Sequence, residues 1–529
     1  MIEGKNIIGF DTSSNGKNTV QAFSTITRDL LPEQFYIASD DEISLAITKA
    51  ANAFNVYSKT DFVHRASFLE AIAEQILLIG DILLERAHLE SGLPLARLTG
   101  ERDRTMNQLK LFASLLREGS WTDAVIDTAL PDRKPLPRAD LRRILQPLGP
   151  VVVFGASNFP FAFSTAGGDT ASALAAGCSV IVKAHTSHLG TNELISKAVQ
   201  KAAQQTGMPD GVFSSLIGEG SNLGQRLIVD ESIKAVGFTG SYKAGMAIFA
   251  AATQKRKSPI PVYAEMSSIN PMVLLPNILA EQSAATATSL AGSITLGVGQ
   301  FCTNPGLIFV IQSEATDSFI TQLVAALSAS APGVMLNQTI CKAYYSERKK
   351  ISGLSNISAL FEGVDETTSY KGSPALYKVS AAHFINEPML QEEIFGPASL
   401  IVVCSDKKEL ELAIKSLRGQ LTGSIFGTKA DLDDAQSLAN ILQQKVGRLI
   451  FNAVPTGVEV CHAMVHGGPF PSTSDARTTS VGTEAIRRFV RPVCYQDAPS
   501  ALLPIYLRNE NEASIMRKVN GVLTRDAIV

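Results

Sequence analysis

The chain reads as an α/β protein of two doubly wound domains, and three features of the sequence predict this. At 529 residues it is too long for one compact core, so two or three domains are expected. From Val151 onward, apolar strand-like runs alternate with small-residue helical stretches, as in VVVF, TASALAA and SVIVK; the pattern recurs at GVFSSLIG, at IKAVGFTGS and over residues 267–451. Ahead of this region, within residues 123–143, LPDRKPLPRADLRR is rich in Pro, Asp and Arg and reads as an extended connector.

The elements follow in order. The first forty residues carry short alternating runs and turn signals (SSNG, LLPE), which predict a small peripheral sheet. A helix begins at Asp41 with Ser39 as its N-cap and acidic residues in the first turn, where they favour the helix dipole. A second helix is expected over residues 61–91 and a third over 94–118. Residues 151–154 then form a buried strand, 166–176 a helix and 179–182 the next strand, the start of a dinucleotide-binding type of sheet. No GxGxxG is present; Gly240 and Gly245 stand five apart in GSYKAG, and Gly240 with Ser241 can present backbone amides to a pyrophosphate from a helix start. The stretch from Gly447 to Gly482 returns glycines, prolines and hydroxyls at high density, as a substrate-binding loop would, and its His462 and His466 are expected to be hydrogen-bonded fixtures rather than catalysts. The closing NENEASIMRKVNGVLTRDAIV is read either as a helix packed on a neighbour or as a free surface segment.

Composition excludes several classes. With 45% hydrophobic residues, 18% charged residues and a net charge of -3, the chain offers no basic face for nucleic acid. Its most apolar stretch, residues 151–183, is interrupted by Asn158, Pro160, Asp169 and several glycines, so no membrane span of about 20 residues can be drawn. The six cysteines (Cys178, Cys302, Cys341, Cys404, Cys461, Cys494) show neither CxxC nor ligand-like spacing, which argues against a disulfide framework or a zinc site and favours a reducing compartment. MIEGKNIIGFD has no basic or apolar leader character, and a cytoplasmic location is expected.

One cysteine stands apart. Cys404 sits in SLIVVC as a core thiol would, whereas Cys302 sits in GSITLGVGQFCTNPG, where Gly297, Gly299 and Gly306 free the backbone, Pro305 stiffens the exit, and Gln300, Thr303 and Asn304 surround the sulfur with polar groups. With FTGSYKAG and VYAEMSSINP upstream, QEEIFGP downstream and ASNFP near the middle, this segment resembles, in order and spacing, the motifs of the aldehyde dehydrogenase superfamily over most of the chain, as far as VRPVCY.

That resemblance implies two doubly wound α/β domains plus a small β oligomerisation arm. Residues 1–122 and 144–266 would form the dinucleotide-binding domain, 267–465 the catalytic domain, and 123–143 with 480–500 the arm of a homodimer or homotetramer. It also implies that Cys302 is the nucleophile toward a small-molecule aldehyde, that Asn158 and the Cys302 backbone N–H hold the oxyanion, and that Glu265 is the general base. Here Met266 to Ser268 replace the glycines that often follow that glutamate. Lys183 would lie near the adenine ribose, Gly240, Ser241 and Gly245 near the pyrophosphate, and Glu393 and Phe395 beside the nicotinamide. NAD-preferring members carry a glutamate where this chain has Thr186, and without that carboxylate a 2′-phosphate is not repelled, so NADP is the expected cofactor, with NAD usable.

Substrate choice turns on the third helix. In the family it lines the tunnel to the nucleophile, and the resemblance puts Arg104 on the tunnel face with Gln108 one turn later; Phe159 of ASNFP joins them as substrate-binding. An arginine there suits a carboxylate. Arg104 could instead pair with Glu101 or Asp103 on a solvated face. The motif details resemble the 2-oxoglutarate semialdehyde (2,5-dioxopentanoate) dehydrogenases and also the NADP-dependent long-chain aldehyde dehydrogenases; Arg104 favours the first, since a fatty chain wants apolar walls. Two further classes are an inactive structural paralogue and an acyl-transferring member that uses coenzyme A. The presence together of Asn158, Glu265, Cys302 and Glu393 argues against the first, and Glu265, a base that hydrolysis needs and acyl transfer does not, argues against the second.

Overall fold

In the computed structural model, which describes residues 2–528, the strand–helix alternation closes into two seven-stranded sheets and a smaller five-stranded one. Across the first sheet the strands run Val262–Glu265, Ala235–Thr239, Val151–Phe154, Val180–Lys183 and Phe213–Leu216, all parallel, then Asn6–Ile8 and Asp11–Ser13, antiparallel. A sheet covered on both faces needs strands apolar on both faces. Val151, Val153, Val180 and Val182 accordingly pack on one side with Phe112, Leu174 and Ile195, while Val152, Ile181 and Val236 pack on the other with Ile43, Ile47 and Ile248. Each such fully buried aliphatic side chain contributes about 1.5–3 kcal/mol.

The second sheet runs Ser358–Glu362, Ala375–Ser380, Ala398–Cys404, Leu307–Ile311, Met272–Leu274, Gln420–Phe426 and Val446–Phe451, and only the first of these is antiparallel. The third sheet joins Val490–Gln496, Leu141–Pro147, Val125–Asp127, Arg517–Val519 and Val522–Thr524.

Three local expectations are corrected. The N-terminal forty residues do not make one peripheral sheet: two strands extend the first large sheet, held by buried Asn6, which donates to Tyr36 O and accepts from Ile217 N–H, and only Thr19–Phe23 with Leu30–Tyr36 stand apart as a hairpin. The helix expected over 61–91 breaks at Gly80, whose φ of 68° belongs to the left-handed region, giving Phe62–Ile79 and Asp81–Ser91. The tail is neither helix nor free segment. Lys518 pairs in parallel with Val125, and buried Arg517 donates to the carbonyls of Arg508, Asn509 and Asp526, which holds the last turn of chain against the third sheet.

The Asp40–Tyr57 helix does open on Ser39, in a capping box with Glu42. The third helix, Leu95–Glu118, ends at left-handed Gly119. Among the described residues no helix is long and apolar enough to cross a membrane.

What positions the site is the order of the first sheet. From Val151–Phe154 the chain winds outward through Val180–Lys183 and Phe213–Leu216, then returns to the other side at Ala235–Thr239. The crevice beyond the ends of Val151–Phe154 and Ala235–Thr239 is where a doubly wound sheet binds its ligand.

Candidate functional site

A cleft of about 820 Å³ opens at that crevice. Gly155, Ala156, Thr239, Gly240 and Ser241, the residues that end or follow the two diverging strands, form its middle. Ser241 caps the Tyr242–Gln254 helix, its hydroxyl accepting from Ala244 N–H, and residues 240–244 are exposed, so a helix N-terminus faces the cleft. A dinucleotide fits these residues: the exposed helix start and its dipole suit a pyrophosphate, although Gly240 N–H is already taken by Glu265 O at 3.1 Å and Tyr242 N–H by Ser267 Oγ at 3.3 Å. Gly245 plays another part. It lies inside the helix, where an added Cβ would come 2.7 Å from Met266 Sδ, so it serves close packing and does not line the cleft.

At one end of the cleft stand Thr186, Ser187 and Gln21, the last from the N-terminal hairpin. Thr186 is exposed. Lys183, at the end of its strand, is buried and does not line the cleft; burial pushes its ammonium down to about 8, with Glu219 acting against that. The other end gathers Cys302, Glu265, Glu393 and Phe395. Glu393 is enclosed enough that burial raises its carboxyl to about 7, against hydrogen bonds from Ser267 and the Ser268 backbone.

Cys302 is carried by a loop with three consecutive left-handed residues, Gly297, Val298 and Gly299. Gly299 is required on a second count: a Cβ there would meet the Gly396 carbonyl carbon at 2.3 Å, so the nucleophile loop lies directly on the QEEIFGP loop. Asn270 fastens the other side, its side-chain amide donating to Cys302 O at 2.9 Å and Asn304 O at 2.8 Å.

Three reactive groups converge here. Cys302 Sγ is 3.3 Å from His466 Nε2, and that nitrogen is 3.0 Å from Glu265 Oε1, at an angle that leaves Oε1 without a hydrogen bond. Glu265 Oε2 accepts a 2.5 Å hydrogen bond from Ser480, and His466 N–H donates to Thr479 Oγ1 at 2.8 Å. Burial, followed by the charge of Glu265, pushes the Cys302 thiol well above its ordinary range. Burial acts to raise Glu265, but His466 beside it, the hydrogen bond from Ser480 and the nearby Cys302 outweigh burial and hold the carboxyl below its usual value. The free site therefore stores a neutral thiol beside a charged carboxylate.

Asn158 is buried and its side-chain amide donates to Gln300 O at 3.1 Å, one residue from the Phe301–Cys302 turn. The third helix supports it. Arg97 Nη2 donates to Asn158 O at 2.8 Å, and Glu101 Oε1 accepts from the N–H groups of Phe161 and Ala162 at 2.8 and 3.0 Å. Arg97, Glu101, Arg104 and Gln108 follow one face of the helix at i, i+4, i+7 and i+11.

The same face meets an aromatic row. Phe159 packs edge-on against Phe163 and Phe301, with centroids 5.3 and 5.5 Å away, and the Arg104 guanidinium lies 5.7 Å from Phe159 and 5.2 Å from Phe163. A solvated face for Arg104 is corrected: Arg104 forms no ion pair with Glu101 or Asp103 among the described residues, Glu101 Oε1 being taken by two backbone amides and Asp103 lying beside Arg102 at 3.7 Å. Arg104 Nε and Nη2 and Gln108 Nε2 are buried with no hydrogen-bond partner among the described residues. Val458, Val460 and Met464 of the glycine-rich loop pack against the same aromatic cluster.

Ser480, Arg97 and Asn270 are not singled out by the sequence, Glu101 is named there only as a partner for Arg104, and His466 is expected only as a hydrogen-bonded fixture. The helical spacing of Arg97 and Glu101 with Arg104 was a usable signal; for His466, 164 residues from Cys302, there was none beyond the loop's composition. His462, by contrast, is exposed and only reaches Thr483 Oγ1 at 3.3 Å.

Comparison with known proteins places this geometry. The profile of the aldehyde dehydrogenase family matches residues 12–491. Alpha-ketoglutaric semialdehyde dehydrogenase 2 of Azospirillum brasilense is 50% identical, over 98% of this chain and 99% of its own length. The alpha-ketoglutaric semialdehyde dehydrogenase of Acinetobacter baylyi is 45% identical, over 99% of each. Among solved structures, betaine aldehyde dehydrogenase from Staphylococcus aureus in complex with NAD+ shares the fold with a TM-score of 0.79 at 19% identity, covering 94% of this chain and 96% of that one.

Proposed function

Since the chain belongs to the aldehyde dehydrogenase family, it oxidises aldehydes, and we propose that its substrate is 2,5-dioxopentanoate, taken to 2-oxoglutarate with NADP as the preferred cofactor. The observation that carries the substrate is Arg104: a cation over an aromatic row, two of its donors buried and unpaired, suits a small carboxylate and penalises a hydrocarbon chain. Gln108 Nε2, equally unpaired, suits the adjacent 2-oxo group. The two relatives that match nearly the whole chain carry the name of the same semialdehyde.

In this reading Cys302 adds to the aldehyde as its thiol proton passes to the His466–Glu265 pair. The tetrahedral oxyanion is held by the Asn158 amide, released from Gln300 O, and by the Cys302 N–H. Glu393 and Phe395 would hold the nicotinamide and Gly240 with Ser241 the pyrophosphate of a bound dinucleotide, which would supply the hydride acceptor. Glu265, charged and fixed by Ser480, then takes a proton from the water that cleaves the Cys302 thioester. Arg97 and Glu101 keep the Asn158 loop in place throughout.

Thr186, exposed at the cleft three residues past the Val180–Lys183 strand and in place of a carboxylate, supports NADP, while Lys183 itself is buried away from the cleft. The third sheet, with residues 123–143 and 480–500, is read as the contact surface of a homodimer or homotetramer, and the six free cysteines suit the cytoplasm. Steady-state kinetics with 2,5-dioxopentanoate and with dodecanal, each with NADP and NAD, tests the reading. A higher kcat/KM for the dioxo acid with NADP is expected; a preference for dodecanal overturns the substrate, and a preference for NAD overturns the cofactor.

A further inference from the structure

Glu265, Cys302 and His466 do more than face the aldehyde. Sγ, Nε2 and a carboxylate oxygen of the three residues all lie within 4.8 Å of one another, with Sγ to Nε2 at 3.3 Å and Nε2 to Oε1 at 3.0 Å. A tetrahedral zinc site with Zn–S near 2.3 Å and Zn–N or Zn–O near 2.0–2.1 Å needs ligand-to-ligand edges of about 3.3–3.6 Å. The Sγ–Nε2 and Nε2–Oε1 edges are therefore within a few tenths of an ångström of those of a zinc site, and the Sγ–carboxylate edge lies within 4.8 Å.

Two further observations point to a ligand. Glu265 Oε1 is buried without a hydrogen bond although Nε2 is in contact with it, so the carboxylate keeps an unused electron pair at the centre of the cluster. The supporting shell is present for Glu265, which Ser480 fixes through Oε2; His466 is held by its backbone N–H bond to Thr479 and by contact with the Phe163 ring, and its Nδ1 has no hydrogen-bond partner among the described residues. Cys302 alone of the three is half-exposed, toward the cleft, which leaves a fourth position for water.

We propose that Cys302, His466 and Glu265 form a binding site for Zn2+ that occludes the nucleophile reversibly. Binding forms one Zn–S, one Zn–N and one Zn–O bond, releases the thiol proton to solvent and changes no oxidation state. The thiolate and imidazole select zinc over magnesium and calcium, which prefer oxygen ligands. The sulfur cannot then add to a carbonyl, so the metal switches the enzyme off whichever aldehyde it serves. This site does not depend on the choice of substrate or cofactor.

The test uses the full-length protein, stripped with EDTA and desalted, and Co2+ as a probe. One equivalent of Co2+ is expected to give a thiolate-to-cobalt charge-transfer band with the visible bands of a tetrahedral centre, and one equivalent of Zn2+ to remove them. Zn2+, but not Mg2+, is expected to stop both turnover and alkylation of Cys302 by iodoacetamide, and EDTA to restore both. His466→Gln and Glu265→Gln should each weaken Zn2+ by at least about 100-fold, more than loss of an outer-shell partner costs. Cys461→Ser and Cys494→Ser should retain the band. Two separate ligand variants, each checked for fold by circular dichroism, keep the test decisive if one of them does not fold. Absence of the cobalt band, its survival in a folded His466→Gln or Glu265→Gln variant, or its loss with Cys461→Ser or Cys494→Ser overturns the proposal.

Discussion

The two seven-stranded sheets repeat one plan but end it differently. In each, the strand order reverses beside the first parallel strand, at Val151–Phe154 in one and Met272–Leu274 in the other, and each reversal leaves a crevice at the strand ends. In the first sheet that crevice is the 820 Å³ cleft, with the N-terminus of the Tyr242–Gln254 helix exposed to it. In the second, a hollow of about 510 Å³ remains, but Asp431 has taken the anion's place: its carboxylate accepts from the N–H groups of Asn277, Ile278 and Thr428, at the starts of the Pro276–Thr295 and Lys429–Asp433 helices. The difference is that a carboxylate of the chain itself occupies the helix starts at the second crevice, whereas among the described residues no acidic side chain covers the exposed helix start at the first, which is the one proposed to take the cofactor's pyrophosphate.

Substitutions in the two regions should therefore separate function from stability. The largest effect is expected at the open site's reacting end: Asn158→Ala should lower kcat by about 100- to 1000-fold while costing only about 1–3 kcal/mol for one lost buried hydrogen bond, read by steady-state kinetics beside calorimetry. Ser241→Asp copies the closed crevice into the open one, placing a carboxylate at the helix start proposed for the pyrophosphate. It should raise the KM for NADP by on the order of 100-fold, and an unchanged KM would remove the helix terminus from the binding account.

The thiol gives a smaller effect with a definite sign. Burial and Glu265 raise the Cys302 thiol, so its alkylation by iodoacetamide in the free enzyme should climb by about tenfold per pH unit from pH 7 to above 9. Removing the negative neighbour in Glu265→Gln lowers the thiol's value, so the profile should move to lower pH; a shift to higher pH contradicts the electrostatics described. The smallest change is expected at the closed crevice. Asp431→Asn should cost about 1–2 kcal/mol of stability, visible as a lower Tm, and leave kcat/KM untouched.

Much of this was legible in the sequence where neighbours in the chain are neighbours in space. Alternating strands and helices, the Ser39 cap and the glycine-shaped loop at Cys302 are local signals, and local physics governs them. The break at Gly80 was legible too, since an internal glycine costs about 1 kcal/mol in a helix; the apolar pattern running through it concealed the break. The rest depends on distant pairing. Nothing around His466 tells that it lands between a cysteine and a glutamate, and a tail rich in charge gives no sign that Arg517 will be buried among carbonyls beside Val125. Arg104 stood between: its helical face could be read, but which wall that face would meet could not.

Arg104 is also where the account is tested most directly. The measurement is kcat/KM for 5-oxopentanoate and for pentanal, two aldehydes of equal length that differ in a terminal carboxylate, with the parent enzyme and with Arg104→Met. The parent enzyme is expected to prefer the carboxylate by at least about 100-fold, as a buried charge-assisted pair provides, and the substitution to abolish that preference by weakening 5-oxopentanoate alone. An unchanged ratio in Arg104→Met, or a parent enzyme indifferent to the carboxylate, contradicts the assignment of Arg104 as the substrate's counter-ion.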